Sequence, residues 1–240
     1  MPFFDSRGLP ENPASEYVVW VDVMGTQARM SRSLAQTANF VFKLHAAAIS
    51  VANDLNIYPV MDGLYAASPC QKVMLDFLRS VFRSIADDFN QQDKQIYRFI
   101  IRGCLAFGPT IHGRDVQDSA SRELAAHQDY RKAILLGLPM VQAHSNENRA
   151  PPFGIYVHES ARSFAPDREQ PLHELWWRWA RDTDETWVAL SKNLMQHYAW
   201  CAARSLTLDY RNERIETHKA MANQYFMPPD ESANAPAREA

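Results

Sequence analysis

The sequence predicts an α+β fold in which the elements follow the order β-α-β-β-α-β, the ferredoxin-like arrangement. Two apolar runs rich in strand-forming residues, at 17–23 and 97–107, predict strands. Two stretches with apolar residues three and four positions apart, at 33–55 and 72–90, predict helices. Between them, residues 56–68 hold an Asp-Gly pair flanked by apolar residues, which indicates a hairpin.

The first half of the chain supplies the most regular elements. Residues 17–23 (YVVWVDV) form a run long enough for a buried central strand and too short for a helix. The tight turn of the hairpin is predicted at Met61-Asp62-Gly63. Pro59 cannot donate a ladder hydrogen bond, so the first hairpin strand should be short or lie at a sheet edge.

Later elements follow the same reasoning. Gly108 and Pro109 are expected to end or interrupt the strand at 97–107. The remaining predictions are a loop with a helical piece at 113–132, a helix at 137–148, a strand at 154–158, and one long helix at 186–223. The tryptophans at 176, 177 and 179 favour packing over a nucleobase platform.

A length of 240 residues fits one large domain or one domain with appendages. The predicted parts are a flexible arm at 1–15, a main domain at 16–165, an extension with a long helix at 166–227, and a disordered tail at 228–240.

The overall composition also restricts the class of protein. The chain has 240 residues, 46% of them hydrophobic, and a formal net charge of −3, so nucleic acid is not an expected partner. The three cysteines show no disulfide spacing, which favours a reducing cytoplasm. We expect no signal peptide and no membrane span, because no apolar run is long enough.

Two aspartates stand out as candidate site residues. Asp22 lies in an otherwise apolar strand, where a carboxylate is costly unless it is compensated. Asp62 lies at the tip of the predicted hairpin, which pairs beside the first strand in a ferredoxin-like sheet. The two carboxylates should therefore converge at one rim of the sheet.

Converging carboxylates with no nearby His or Cys favour the hard ions Mg²⁺ or Mn²⁺, which also bind substrate phosphates. Residues 24–27, Met24-Gly25-Thr26-Gln27, lead into a helix whose free N–H groups could bind a triphosphate. P-loop, HExxH and GxSxG motifs are absent from the sequence.

These residues resemble the metal motifs of class III nucleotide cyclases. VDVMGTQARMS (21–31) is similar to the first metal motif and YPVMDGLYAAS (58–68) to the second. Weaker similarity follows in RGCLAFGPTIHG (102–113), LGLPMVQAHSNE (136–147) and FGIYVHESA (153–161). The resemblance implies that Asp22, Asp62 and the Val23 carbonyl hold two ions, and that 16–165 is the cyclase domain.

Departures from the family pattern bear on the substrate. Tyr58 stands where purine cyclases carry a base-reading Lys, which favours a smaller base. Val141 and Ser145 replace the catalytic Asn and Arg, while Gln142 and Asn146 keep that spacing one residue later. Otherwise an arginine elsewhere, such as Arg29 or Arg102, must stabilise the transition state.

The combination looks like the pyrimidine cyclases of the bacterial Pycsar antiphage system. This implies a homodimer with active sites at the interface, Mn²⁺ or Mg²⁺ dependence, and an effector that responds to the cyclic nucleotide. We predict conversion of UTP into cyclic UMP. The alternatives are a cytidylate cyclase using CTP, a purine cyclase, a catalytically inactive cyclase-like domain that binds nucleotide or a partner, and a two-metal nuclease.

Overall fold

The computed structural model describes residues 3–166 and 168–227, in which a seven-stranded sheet is flanked by helices. The strands are β1 (Ser15–Val23), β2 (Asn56–Val60), β3 (Gly63–Ser68), β4 (Ile101–His112), β5 (Leu135–Gly137), β6 (Ile155–Val157) and β7 (Trp176–Trp177). The helices are α1 (Thr26–Met30), α2 (Leu34–Ser50), α3 (Gln71–Gln91), α4 (Arg122–Ala126), α5 (Gln128–Lys132), α6 (Leu138–Asn146), α7 (Glu159–Ser163), α8 (Glu185–Ala202), α9 (Ser205–Leu208) and α10 (Asn212–Phe226).

The sheet has the strand order β2-β3-β1-β4-β6-β7, and β5 pairs with β4. The first four strands of this order are antiparallel to their neighbours, and β6 lies parallel to β4. Helix α2 connects β1 to β2, and α3 connects β3 to β4, which gives the ferredoxin-like core. The predicted fold class is therefore confirmed. The strand that contains Pro59 lies at the sheet edge, as expected.

Alternation along β1 divides the core into two parts. Tyr17, Val19 and Val21 belong to a large cluster that includes apolar residues of α2 and α3. Val18 and Trp20 belong to a second cluster on the opposite face, which α6 covers. By the same alternation, Asp22 projects from the face covered by α6.

The hairpin of β2 and β3 closes through a two-residue turn. Val60 pairs with Gly63, and Met61 adopts a left-handed conformation with φ of 49°. A Cβ atom at Gly63 would lie 2.5 Å from the Val21 carbonyl oxygen and 2.6 Å from the Trp20 ring. Only glycine therefore lets the hairpin lie this close to β1.

Helix and strand boundaries depart from the sequence prediction at several places. Helix α2 ends at Ser50 rather than near Leu55, because Val51 already leaves the helical conformation with φ of −125° and ψ of 11°. Asp54 then adopts a left-handed φ of 58° before β2. Strand β4 begins at Ile101 and continues to His112 without interruption. Gly108 has a φ of 156° there, which a glycine tolerates without strain. The short strands β5 and β7 were not predicted.

The predicted long helix at 186–223 is wrong. The chain forms three helices, α8, α9 and α10, and Asp209 ends α9 in a left-handed conformation with a φ of 49°. The apolar spacing that predicted one helix continues across the break, because Ile215 and Ala222 of α10 also pack into the large cluster. Trp187 and Leu190 of α8 belong to the same cluster, so the extension shares one core with the sheet.

The segment before β1 was predicted to be a flexible arm, and its flexibility stays a prediction. Ser6–Gly8 forms a short 3₁₀ helix, and Gly8 is buried against Ala120. The Asp5 N–H donates a hydrogen bond of 2.7 Å to the Ala120 carbonyl. The predicted tail at 228–240 lies outside the described residues. Within the described ranges, no helix has the length and apolar composition that crossing a bilayer requires.

The tryptophan patch packs as predicted. Trp179 is buried, its indole donates a hydrogen bond of 2.9 Å to the Phe153 carbonyl, and its ring lies edge-on to Trp187. The proposed division of the chain at 165/166 stays a prediction.

Candidate active site

Asp22 lies near the end of the central strand with both neighbouring strands in register beside it. It pairs with Gly63 on one side and with Arg102 on the other. Its Oδ1 atom is buried and has no hydrogen-bond partner among the described residues. A buried carboxylate oxygen without a donor is costly, which marks this atom as a candidate ligand position.

Asp62 reaches the same rim from the turn of the hairpin. The residue is half-buried, and its Oδ2 accepts a hydrogen bond from the Thr26 hydroxyl at the start of α1. Since Gly63 pairs with Asp22, the preceding residue Asp62 is carried to the end of β1. The structure thus brings the two predicted carboxylates to one rim.

The electrostatics of Asp22 reflect this crowding. Burial is the main cause that raises its pKa to about 7, and the carboxylates of Asp62 and Glu147 raise it further. The Arg102 guanidinium and the Val23 N–H act in the opposite sense. The positive charge near Asp22 is therefore too small to offset burial and the two neighbouring carboxylates, so the ionised form of Asp22 is destabilised.

The residues present fit a divalent cation. An unpartnered carboxylate oxygen on Asp22 and a second carboxylate on Asp62 provide hard oxygen ligands and an excess of negative charge. No group of three or more His, Cys, Asp and Glu side chains suited to a metal occurs in the part of the chain described. Further ligands would have to be backbone oxygens, such as that of Val23, or substrate oxygens.

Arg102 is already paired. This residue is 5% exposed, and its Nε and Nη2 donate hydrogen bonds of 2.5 Å and 2.8 Å to the two carboxylate oxygens of Glu147. A bidentate pair of this kind occupies one whole edge of the guanidinium. Sequence reasoning missed Glu147, which lies in the turn after α6, and expected Arg102 to bind substrate.

The alternative arginine, Arg29, is also engaged. Its guanidinium lies 5.2 Å from the Phe40 ring centroid and donates a hydrogen bond of 3.3 Å to the Arg98 carbonyl. Neither predicted arginine therefore presents a free guanidinium in this state of the chain.

The segment from Val23 to Gln27 forms the turn that was expected to bind phosphates. Gly25 precedes α1 with a left-handed φ of 77°, and no side chain caps the helix start. The Met24 N–H is not free, because it donates a hydrogen bond of 2.8 Å to the Ile100 carbonyl. The predicted phosphate contact therefore cannot use the Met24 N–H in this conformation, and for Gly25, Thr26 and Gln27 it stays a prediction.

Helix α6 lies across β1 and β4 on the face that carries Asp22. Its His144 ring lies 5.2 Å from the Trp20 ring. Gln142 has a buried Oε1 without a described partner, whereas the Asn146 amide donates a hydrogen bond of 2.9 Å back to the Gln142 carbonyl. The Gln142 side chain has an unused acceptor, and Asn146 would have to turn to meet a ligand. Their predicted catalytic roles stay predictions.

Tyr58 lies on β2, and its hydroxyl is hydrogen-bonded to Nδ1 of His112. The opposite ring nitrogen of His112 lies 2.5 Å from Oε2 of Glu16, which also accepts a hydrogen bond of 2.6 Å from the Thr110 hydroxyl. All four residues are 4–6% exposed. A base contact by Tyr58 must therefore coexist with this network or open it, and that role stays a prediction.

Comparison with solved structures returns nucleotide cyclase domains. The guanylyl cyclase domain of the RhoGC fusion protein from the aquatic fungus Blastocladiella emersonii is 16% identical, with a TM-score of 0.45 over 63% of this chain and 85% of that chain. The guanylate cyclase domain of RhGC from Catenaria anguillulae, solved in complex with GTP, is 13% identical, with a TM-score of 0.44 over 63% and 81%.

A bacterial protein gives a similar result. The adenylate/guanylate cyclase/hydrolase from Silicibacter pomeroyi is 14% identical, with a TM-score of 0.44 over 60% of this chain and 75% of that chain. No protein-family model matches the chain, and no curated protein matches it.

Proposed function

We propose that this chain is a nucleotide cyclase that converts a pyrimidine nucleoside triphosphate, UTP in preference to CTP, into its 3′,5′-cyclic monophosphate. In this reaction the 3′-oxygen of the ribose forms a bond to the α-phosphorus. The bond from that phosphorus to the bridging oxygen breaks, pyrophosphate leaves, and the hydroxyl proton passes to solvent.

One observation carries the proposal. Asp22 at the end of β1 and Asp62 in the turn between β2 and β3 meet at one rim of a ferredoxin-like sheet, and an oxygen of Asp22 is buried without a donor. A protein retains such an uncompensated carboxylate when a ligand supplies the missing charge. This arrangement suits divalent cations and the phosphates that accompany them.

Asp22, Asp62 and the Val23 carbonyl would hold two ions, Mn²⁺ or Mg²⁺. When bound, such ions lower the pKa of an attacking hydroxyl and neutralise charge on the leaving group. The Thr26 hydroxyl fixes the Asp62 carboxylate through its hydrogen bond. Backbone N–H groups of Gly25 to Gln27 would bind phosphate oxygens at the start of α1.

Gln142 would orient the ribose through its unpartnered acceptor, and Asn146 would approach the phosphate after its hydrogen bond to the helix opens. The Glu147 carboxylate offsets the charge of the Arg102 guanidinium beside Asp22, and the pair presents no free guanidinium to the substrate. Arg102 would therefore contact the substrate only if the pair opens on substrate binding.

The resemblance found in the sequence extends the proposal to assembly and biological role. Leu136, Leu138 and Val141 expose apolar surface around the start of α6, which supports a homodimer formed over this face. The active sites would lie at that interface. The cyclic UMP formed would act as a second messenger in antiviral defence, read by a separate effector.

Incubation of the protein with each of the four triphosphates and Mn²⁺ tests the proposal. We expect cyclic UMP as the main product and less cyclic CMP. Conversion of ATP or GTP alone would show a purine cyclase and exclude the predicted role of Tyr58. The absence of any cyclic product, with triphosphate still bound, would show an inactive cyclase-like domain.

A further inference from the structure

The rim that carries Asp22 continues across four strands of the sheet. One row of residues paired across these strands comprises Val21, Gly103, Ile155 and Trp177. Asp22 lies one residue beyond this row on β1, and Trp177 is the last residue of β7. Both strands therefore end at the same rim, and they are three strand spacings, or about 14 Å, apart.

Helix α10 of the C-terminal extension is fixed to this rim at β7. Tyr225, near the end of the helix, is buried, and its hydroxyl donates a hydrogen bond of 2.9 Å to the Trp177 carbonyl. Arg178, the residue after β7, donates a hydrogen bond from its guanidinium to the Tyr225 carbonyl. The last turn of α10 therefore lies against the end of β7.

The middle of α10 lies beside the start of β4. His218 is buried seven residues before Tyr225, about 10 Å along the helix axis, which is also the width of two strand spacings. Burial lowers the pKa of His218 to about 4, and the Arg102 guanidinium on β4 lowers it further. Helix α10 thus crosses the end of the sheet from β7 toward β1.

Arg214 lies one turn closer to β1. It precedes His218 by four residues and so shares a face of α10 with it. In addition to the effect of burial, its charge lowers the pKa of His218 and of Tyr210, whose hydroxyl is 2.5 Å from Nδ1 of His218. The Arg214 side chain is exposed, and it forms no ion pair with the residues that the structure describes.

The chain that leads into α10 also adjoins α1. Burial lowers the pKa of Arg29 on α1, and the nearby Tyr210 acts in the opposite sense. Helix α1 begins at Thr26, next to the turn at which phosphate binding is predicted. The start of α10 is therefore close both to the rim of β1 and β4 and to that turn.

From this arrangement we propose that Arg214 binds the β- and γ-phosphates of the substrate and supplies the unpaired guanidinium that Arg29 and Arg102 do not. This inference rests on the proposed function. A guanidinium matches phosphate oxygens with two parallel hydrogen bonds. Negative charge grows on the pyrophosphate as its bond to the α-phosphorus breaks, and Arg214 would neutralise that charge. The C-terminal extension thereby contributes directly to the site.

Arg214→Gln is the test, because it removes the charge from an exposed position and keeps an extended polar side chain. We expect kcat/KM for UTP to fall about 30-fold, as for the loss of a charge-assisted contact to phosphate. Arg214→Lys keeps a positive charge without the planar fork, so its loss should be smaller. Thermal unfolding of both variants should match that of the wild-type protein.

Binding measurements separate a phosphate contact from a structural effect. By calorimetry with Mn²⁺ present, Arg214→Gln should weaken the binding of UTP and of pyrophosphate by a similar factor. The binding of UMP, which lacks the β- and γ-phosphates, should be unchanged. Because pyrophosphate has no base, this result does not depend on which base the protein prefers.

The matched control is Arg122→Gln. Arg122 is an exposed arginine on α4, which follows the opposite end of β4, and it likewise forms no ion pair within the described part of the chain. The variant carries the same change of net charge, so it should leave kcat/KM and all three affinities at their wild-type values.

The outcomes distinguish this inference from the proposed function. If the wild-type protein converts UTP and Arg214→Gln does so equally well, the inference is overturned and the cyclase proposal stands. Equal weakening of UMP and pyrophosphate would overturn it in the same way. If the wild-type protein binds UTP without converting it, selective loss of pyrophosphate binding in Arg214→Gln would support the inference alone. If the wild-type protein binds neither UTP nor pyrophosphate, both proposals fall.

Discussion

Two carboxylates on one strand, Glu16 and Asp22, face the same side of the sheet and have opposite environments. Glu16 accepts hydrogen bonds from His112 and Thr110, and its pKa lies below the usual value. Asp22 has an oxygen without a donor, and its pKa is raised to about 7. The first carboxylate is satisfied by the protein, whereas the second lacks a partner that a ligand could supply.

The largest expected effect is a loss of turnover when the rim that carries Asp22 and Asp62 is altered. Asp62→Ala removes one carboxylate from the rim, and we expect triphosphate conversion to fall at least about 1,000-fold, since roughly 4 kcal/mol of transition-state stabilisation is lost. The protein should still fold, with the midpoint of thermal unfolding lowered by only a few degrees, because Asp62 is half-buried and its loss removes one hydrogen bond, that from Thr26. The control is Asp129→Ala, an exposed aspartate on α5. Normal product yield from Asp62→Ala would contradict the metal assignment.

The second effect concerns the free energy of unfolding and the hydrogen-bonded carboxylate of Glu16. Glu16→Ala leaves the His112 Nε2 and the Thr110 hydroxyl buried without an acceptor, and we expect the free energy of unfolding to fall by roughly 3 kcal/mol. Asp22→Asn should instead stabilise the metal-free protein at neutral pH. Urea unfolding of both variants measures the contrast. Destabilisation of similar size in the two would refute it.

The contributions of Asp22 and Glu16 to folding stability should depend on pH in opposite directions. Asp22 titrates at about 7 in the folded chain and at an ordinary value of 3.8 when unfolded. The folded chain holds this proton more tightly, so stability falls as pH rises from about 4 to 7. For Glu16, whose folded pKa is lowered, stability is present above the usual pKa and is lost as pH falls through the folded value.

Urea unfolding of the wild-type protein and of Asp22→Asn between pH 4 and 7 tests whether stability falls with rising pH because of Asp22. The stability advantage of Asp22→Asn should grow from pH 4 to 7 and then level off. Saturating Mn²⁺ should remove it, because bound cation compensates the wild-type carboxylate. An advantage that shrinks as pH rises would show that Asp22 is already compensated.

The smallest effect should come from the pair next to Asp22. Glu147→Gln removes the charge that balances Arg102, and the uncovered guanidinium then repels a cation at the rim. We expect Mn²⁺ affinity, measured by calorimetry, to fall about three- to tenfold. Glu159→Gln, which affects the more exposed Arg149 and Arg162, is the control. Unchanged affinity would mean that the pair does not act on the site.

The sequence predicted those parts of the molecule that depend on local pattern. Strand and helix periods identified the ferredoxin-like core, and the Asp-Gly pair identified the turn that carries Asp62. An isolated aspartate in an apolar strand pointed to Asp22. These signals are local, because each is set by side-chain alternation or by turn chemistry within a few residues.

The interactions that were missed join residues far apart in the chain. Glu16 meets His112 only because β1 and β4 pair in a particular register and β4 continues past Gly108. Arg102 meets Glu147 because the turn after α6 lies against β4. The break between α8 and α10 was also missed. It depends on the left-handed conformation of Asp209, while the apolar period that predicted one helix continues on both sides.

Gly63 has a consequence for how the two aspartates are held. Because its missing side chain lets the hairpin lie directly against Val21 and Trp20, main-chain hydrogen bonds rather than side-chain packing fix the separation of the two acidic residues. Substitutions that repack the interior should therefore leave that separation intact. A single methyl group at position 63 would push the turn away from its neighbour and spoil the spacing.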